Sequence, residues 1–301
     1  MNICKRCLAF LIPLSLIAVT FNHASLAQED RFAGVKIETT KVSGNVSMLV
    51  GSGGNIGVSA GPDGVLMIDD QYAPLSEKIT RALAALGSDK PRFIINTHFH
   101  GDHTGGNDFF SAAGTIIAHE NVRVRLLNED KPNSSLPIIT FDQEIKAYFN
   151  GEEIRIIHLP VGHTDGDSIV LFLKSKVAHL GDQFWNGLFP FVDIENGGTV
   201  QGYTTNVARS LSLVAEETRI IPGHGPLGSK ADLERFLTML KSTTKTVTEQ
   251  MQQGRSLDSI KQTGLGAEWS TWGEWFITEA RWIETIHSSY SSSSGANIEG
   301  Q

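Results

Sequence analysis

Apolar residues in this chain fall first into short runs and later into helical spacing. Phe93-Ile94-Ile95, Ile154 to Leu159, Ile169 to Leu173, a run starting at Val177, and Ile220-Ile221 are each only a few residues long, the pattern of buried strands. Val46 to Ile68 reads as paired strands joined by the glycine-rich turns Gly51-Ser52-Gly53-Gly54-Asn55 and Gly61-Pro62-Asp63-Gly64. Residues 28–40 look like a polar lead-in. A helix begins near Pro74, carries Leu75, Ile79, Leu83 and Leu86 on one face and stops at Gly87, with proline at its start and glycine past its end. A second helix is expected from His119 to about Glu129.

Beyond residue 228 the spacing turns helical. Ser229-Lys230-Ala231-Asp232 resembles a capping box with Asp in place of Glu, and Leu233, Phe236, Leu237 and Leu240 follow as an apolar stripe. A later amphipathic segment carries Trp272, Trp275, Phe276, Trp282, Ile283 and Ile286. Large aromatics usually bury, so these helices are expected to pack on the strands with no catalytic role, in preference to forming a substrate cap or a dimer surface.

The ends of the apolar runs carry the candidate chemistry. Directly after Phe93-Ile94-Ile95 comes Thr97-His98-Phe99-His100-Gly101-Asp102-His103, with three histidines and one aspartate inside six residues. In extended backbone, positions i and i+2 point the same way, so His98 and His100 can grip one ion. Asp102 and His103 must face elsewhere, which suggests a second ion. Imidazole and carboxylate suit zinc, although ligand type leaves manganese and iron open. The other runs end alike: Gly162-His163, Gly181-Asp182 and Gly223-His224 each place a glycine-flanked His or Asp at a strand end. All four segments can therefore deliver ligands to one edge of a sheet.

On these residues the chain resembles the metallo-β-lactamase superfamily. The signature stands here as His98-x-His100-x-Asp102-His103, His163, Asp182 and His224, with Asp69 as a structural aspartate, spread in order between about Val46 and Pro226. The resemblance implies an αββα sandwich of two mixed β-sheets with outer helices, carrying a C-terminal helical extension. It further implies two Zn2+ ions, one held by His98, His100 and His163, the other by Asp102, His103 and His224, with Asp182 bridging. Such a pair would supply a bridging hydroxide at neutral pH, and Asp102 would orient it and accept its proton. His179 is a candidate supporting residue near Asp182, and Trp185 and Asn186 are candidates for a substrate wall. Family members that are β-lactamases often carry Cys or Ser where Asp182 stands, and one group carries a lysine soon after. Here Gln183-Phe184-Trp185-Asn186 follows, without a positive charge. An uncharged or weakly charged carbonyl compound, a lactone, ester, thioester or lactam, is therefore the expected substrate. The alternatives are a genuine β-lactamase, a phosphoric-ester hydrolase drawing on Arg123, Arg125 or Arg209, and a non-catalytic metal-binding protein.

Composition adds compartment and partners. Lys5 and Arg6, the apolar stretch Leu8 to Val19, and Ser25-Leu26-Ala27 read as a signal peptide over 1–27, too short to serve as a membrane span. That organises the chain as 1–27 leader, 28–228 catalytic domain and 229–301 C-terminal helices on the same domain, periplasmic or secreted, without stable membrane insertion after cleavage. Cys4 and Cys7 both lie in the leader, so the mature chain needs no disulfide. Cleavage removes two basic residues and no acidic one, and 23 basic against 33 acidic residues leave a net charge of −10. An acidic chain excludes nucleic acid as an expected partner and leaves a small-molecule substrate.

Overall fold

The computed structural model describes residues 31–295, so the expected signal peptide and both cysteines lie outside the described residues. Residues from Val35 onward make one compact unit. Its first sheet runs β1 (Glu38–Ser43), β2 (Val46–Val50), β3 (Ile56–Gly61), β4 (Gly64–Ile68), β5 (Pro91–Ile95), β6 (Thr115–His119) and β7 (Ile139–Phe141), each strand beside the next. The pairings are antiparallel as far as β4 and parallel from β4 to β7. The second sheet contains β8 (Glu144–Phe149), β9 (Glu152–His158), β10 (Ser168–Phe172), β11 (Val177–His179), β12 (Arg219–Ile221) and β13 (Gly228–Ser229). It is antiparallel apart from the β11–β12 pair. The expected pair of mixed sheets is what forms. The β1 strand corrects the lead-in reading: its residues are mostly exposed and polar, so pairing with β2 rests on backbone bonds that leave no apolar alternation to read.

Helices occupy the connections. They are α1 (Ser76–Leu86), α2 (Gly101–Thr104), α3 (Asn107–Phe110), α4 (Glu120–Asn128), α5 (Val200–Leu213), α6 (Lys230–Gln252), α7 (Leu257–Thr263) and α8 (Glu279–Gly295). At the start of α6, Ser229 Oγ accepts from the Asp232 N–H while the Asp232 carboxylate accepts from the Ser229 N–H, a complete capping box.

Alternation along the strands explains why two layers close on one sheet. Val170 and Phe172 of β10 face the first sheet, joining Ile154, Ile156, Ile68, Ile95 and Ile117. Ile169 and Leu171 face the opposite way, into a second core with Tyr203, Phe236, Leu240, Trp272, Trp282 and Ile286. A strand covered on both faces reads as an unbroken apolar run, as β10 does. At about 1.5–3 kcal/mol for each fully buried large side chain, this double cover fixes the second sheet rigidly beneath the loops at its edge.

Candidate metal centre

Asp69 follows β4, His98 to His103 follow β5 and run into α2, His163 lies between β9 and β10, Asp182 follows β11, and His224 follows β12. These loops converge. His98, His100, His163 and Asp182 form one group and Asp102, His103 and His224 a second, each with its ligand atoms within 4.8 Å of one another. Asp182 faces both groups. Its Oδ2 lies 3.4 Å from His163 Nε2 and 3.8 Å from His98 Nε2. Its Oδ1 lies 3.1 Å from His103 Nε2 and 3.4 Å from His224 Nε2. Asp102 Oδ2 stands 3.3 Å from His224 Nε2 and 3.7 Å from His103 Nε2.

The outer edges of the rings decide what the inner edges offer. His103 Nδ1 donates to Asp69 Oδ2 at 2.8 Å, and Asp69 also takes the Thr97 N–H and hydroxyl. The Thr97 hydroxyl, its proton committed to Asp69, accepts from His98 Nδ1 at 3.0 Å. His163 Nδ1 donates to the Phe191 carbonyl at 2.8 Å, and His100 Nε2 to Asp193 Oδ2 at 2.9 Å. His98, His100 and His163 thus carry a proton outward and turn a lone pair inward, and His103 fixes Nδ1 on Asp69 with Nε2 turned inward, the arrangement that holds a metal-binding imidazole in place. His163 Nε2 and His100 Nδ1 then face each other at 3.0 Å, lone pair to lone pair. Only a cation or a proton between them relieves that repulsion. His98 Nε2, His103 Nε2 and Asp182 Oδ1 are likewise buried without a hydrogen-bond partner. The donor set fits divalent metal.

Electrostatics separates the two groups. Burial, reinforced by neighbouring rings, pushes His98 well below the usual imidazole range and His163 down to about 4. On the other side burial opposes protonation but loses to the carboxylates. Asp182, Asp102 and Asp69 raise His103 well above its ordinary value, and Asp182 and Asp102 raise His224 to about 9. Burial likewise opposes ionisation of Asp182 and Asp102, yet His224 and His103 hold Asp182 well below the carboxylate range and His103 with His224 lower Asp102.

Close backbone approach keeps these groups crowded. The Gly54 N–H donates to the Asp102 carbonyl at 3.1 Å and the Asn55 N–H to the Gly223 carbonyl at 2.7 Å, which pins the first glycine-rich loop over the centre. A methyl group on Gly54 would stand 2.1 Å from His103 Cε1, and one on Gly223 would stand 2.0 Å from Asp182 Oδ1. A brace ties the strand-end loops together. Asp167 accepts from the Thr164 N–H at 2.8 Å and from Gln183 Nε2 at 2.6 Å, linking the residue after His163 to the residue after Asp182.

The remaining candidates distribute unevenly. His179 is buried but touches neither group directly, since its ring nitrogens meet the Asn55 carbonyl and the Gly181 N–H. Trp185 packs its ring 4.2 Å from that of His224. The Asn186 side-chain amide donates to the Pro226 carbonyl and its N–H to the His224 carbonyl, so it clamps the His224 loop rather than presenting a donor to a substrate. Arg123 donates to the Pro137 carbonyl, and Arg125 is spent on Asp165 and the Asn196 carbonyl.

Two residues depart from the expectation of pure core packing. Trp269, Trp272 and Trp282 are buried, but Trp275 and Phe276 are 52% and 60% exposed. Trp275 lies 5.3 Å from the His224 ring and 5.8 Å from Trp185. Asp193 and Phe191, which hold His100 and His163 from outside, carry no glycine-flanked signal in the sequence. Both sit in an irregular stretch where neither strand nor helix periodicity applies.

Comparison with known proteins agrees with this geometry. A family model described as metallo-beta-lactamase superfamily matches residues 40–226. A hydroxyacylglutathione hydrolase of Nitrosococcus oceani is 30% identical over 155 residues, 50% of this chain and 55% of that protein. A beta-lactamase-like protein 2 homolog of Caenorhabditis elegans is 23% identical over 213 residues, 69% of this chain and 68% of that one. The chain thus spans about half the length of the hydroxyacylglutathione hydrolases it matches. Among solved structures, a metallo-beta-lactamase from Pontibacter korlensis superposes with TM-score 0.58 at 18% identity, over 68% of this chain and 99% of that one. The DIM-1 metallo-beta-lactamase gives 0.58 at 19% identity, over 69% and 98%. At such identities the likeness is one of fold.

Proposed function

This chain belongs to the metallo-β-lactamase superfamily and is a metallohydrolase, and from that premise we propose an exported enzyme that uses two zinc ions to hydrolyse an uncharged acyl compound: a lactone, ester, thioester or lactam. The observation that carries the two-ion reading is the pair of facing acceptor nitrogens on His100 and His163 beside a second ring pair, His103 and His224, with one Asp182 oxygen turned to each group. His98, His100 and His163 would hold one ion, and Asp102, His103 and His224 the other. When bound, such ions acidify water and polarise an acyl oxygen.

The chain's own groups do the rest. Asp102 is the candidate catalytic residue: its side chain is 22% exposed where Asp182 is only 3% exposed, so it meets the entering water. Its carboxylate orients that water and takes its proton. Asp69, Thr97, Asp193 and the Phe191 carbonyl hold His103, His98, His100 and His163 each in one orientation, which removes reorganisation from the reaction. Trp185 covers the His224 side and Phe191 the His100 side, 5.6 Å between ring centres, limiting water around the reacting acyl group. Arg123 and Arg125, two of the three arginines considered for phosphate, are committed to their own neighbours, which supports an acyl over a phosphoryl substrate because phosphate needs free cations to hold it.

The test is metal content and turnover together, across lactones, thioesters, nitrocefin and nitrophenyl phosphates. Two zinc ions per chain with turnover of acyl substrates is the expected result. One ion in zinc-replete buffer overturns the dinuclear reading, and preferential phosphatase activity overturns the acyl reading. Nitrocefin hydrolysis near 10⁶ M⁻¹s⁻¹, roughly mid-range for a specialised enzyme, would make the protein a β-lactamase.

A further inference from the structure

Trp275 and Phe276 are large apolar side chains kept in water beside the metal centre, and the fold does not need them there. Of the five tryptophans, Trp185, Trp269, Trp272 and Trp282 are buried, and each belongs to the core around the second sheet. Trp275 and Phe276 belong to neither core. Their segment has no regular structure, yet it is fastened at both ends. Trp272 and Ile277 are buried, and the Trp272 carbonyl accepts from the Phe189 N–H at 3.1 Å. The two rings project from a fixed strap.

They project next to the candidate centre. Trp275 stands 5.3 Å from the His224 ring, and Phe276 stacks with Trp185 at 6.5 Å and an interplanar angle of 19°. Phe276 also meets Phe191 at 6.4 Å, and Phe191 meets His100 at 5.6 Å and His163 at 6.0 Å. One continuous aromatic wall thus runs from His224 across to His100 and His163. A cavity of about 640 Å³ meets this wall at Phe191 alone; Asp193, Glu195, Lys261, Arg281 and Glu284 line it elsewhere, and neither Trp275 nor Phe276 does. Two cations stand on that side: Lys261, paired with Glu284 at 3.0 Å, and Arg281, 6.0 Å over the Phe191 ring. The family match ends at residue 226, so half of this wall comes from a segment outside it.

We propose that Trp275 and Phe276 determine specificity, selecting acyl substrates that carry a flat aromatic group beside the scissile carbonyl. This rests on the acyl-hydrolase reading above. Ring faces spaced 5.8–6.5 Å apart offer offset or edge contacts to a further ring. A saturated or short acyl group would leave them wet and gain little.

Zinc-loaded protein, wild type and the double variant Trp275→Ala/Phe276→Ala, is assayed with the phenylacetyl and acetyl thioesters of N-acetylcysteamine. In the wild type, kcat/KM for phenylacetyl exceeds that for acetyl at least tenfold, and the double variant reduces the ratio to about two. The exposure of both side chains predicts an unchanged melting temperature and zinc content in the variant. A ratio that survives the substitutions, or a wild type without preference, overturns the inference while leaving the acyl-hydrolase reading intact. Failure of the wild type on both thioesters counts against the acyl-hydrolase reading instead. A readout without turnover then decides the wall: phenylacetamide, but not acetamide, shifts wild-type tryptophan emission, and the double variant loses that shift. No shift in the wild type refutes the wall as an aromatic subsite.

Discussion

Substituting Gly54 by alanine tests whether backbone crowding, and not ligand identity alone, sets the metal centre. The added methyl would stand 2.1 Å from His103 Cε1, 2.5 Å from Nε2 and 2.6 Å from Nδ1. Ordinary contact begins near 3.4 Å, so ring and loop must separate by about 1.3 Å. The loop cannot easily rise, because hydrogen bonds hold Gly54 to Asp102 and Asn55 to Gly223. The ring cannot easily retreat, because Nδ1 is bonded to Asp69 and Nε2 lies 3.1 Å from Asp182. Overpacking of this kind costs about 1–3 kcal/mol, or roughly 2–10 °C in melting temperature for a domain of this size. Displacing a ligand by about an ångström should also weaken zinc at the Asp102–His103–His224 group about 100-fold, the upper range for loss of a positioning partner. Competition against a chromophoric chelator measures that affinity. Gly101→Ala is the control: a methyl there meets nothing within 4 Å, and both affinity and stability should stay near wild type. If Gly54→Ala binds two zinc ions with wild-type affinity, the loop does not constrain His103 and the crowding argument is wrong.

Three further outcomes follow from the same geometry. Asp193→Ala frees His100 Nε2 and should weaken the His98–His100–His163 group about 10- to 100-fold by zinc titration, sparing the other group; equal weakening of both would refute the assignment. His224, raised to about 9, and His103 must shed protons to bind zinc, so zinc uptake at pH 7 should release about two protons, read by calorimetry in buffers of different ionisation enthalpy. Affinity at that group should fall as pH drops from 8 to 6, and a pH-independent affinity would contradict it. His158 is depressed to about 4 by burial and by the His119 ring stacked 3.6 Å away. A base depressed in the fold contributes stability that is full above its unfolded value of about 6.5 and is lost as pH falls from there toward 4; for this half-buried ring, solvent screening leaves about 1 kcal/mol of it. Metal-free His158→Asn should therefore lose less melting temperature over that interval than metal-free wild type, and parallel loss in the two proteins would count against it.

What was legible in the sequence followed a physical rule. A strand buried on both faces announces itself as an apolar run, and the glycine that lets its end turn sharply stands beside the candidate ligand it exposes, as at Gly181-Asp182 and Gly223-His224. Seven converging residues could therefore be located without coordinates. Strand β1 was invisible because an exposed edge strand is held by backbone bonds that no side-chain pattern encodes. Asp193 and the Phe191 carbonyl leave no signal for a different reason. They hold His100 and His163 across 93 and 28 residues of chain, one of them through a backbone carbonyl that any residue type would supply.

Trp275 and Phe276 mark the limit of the burial rule itself. Hydrophobicity predicts where an aromatic side chain gains by leaving water, and for Trp272 and Trp282 that gain is realised in the core. For a pair held about half exposed beside the candidate metal centre, it is not. Holding those faces in water costs transfer free energy on the order of a kcal/mol or more per ring, a cost the free protein does not recover from its own contacts. A ligand that covers the rings recovers it, and that is a form of binding energy available only to the bound state. The same bookkeeping separates the two ends of the amphipathic segment: Trp272 and Ile277 anchor the strap through burial already complete, while the residues between them remain apolar surface whose burial is deferred until a substrate arrives.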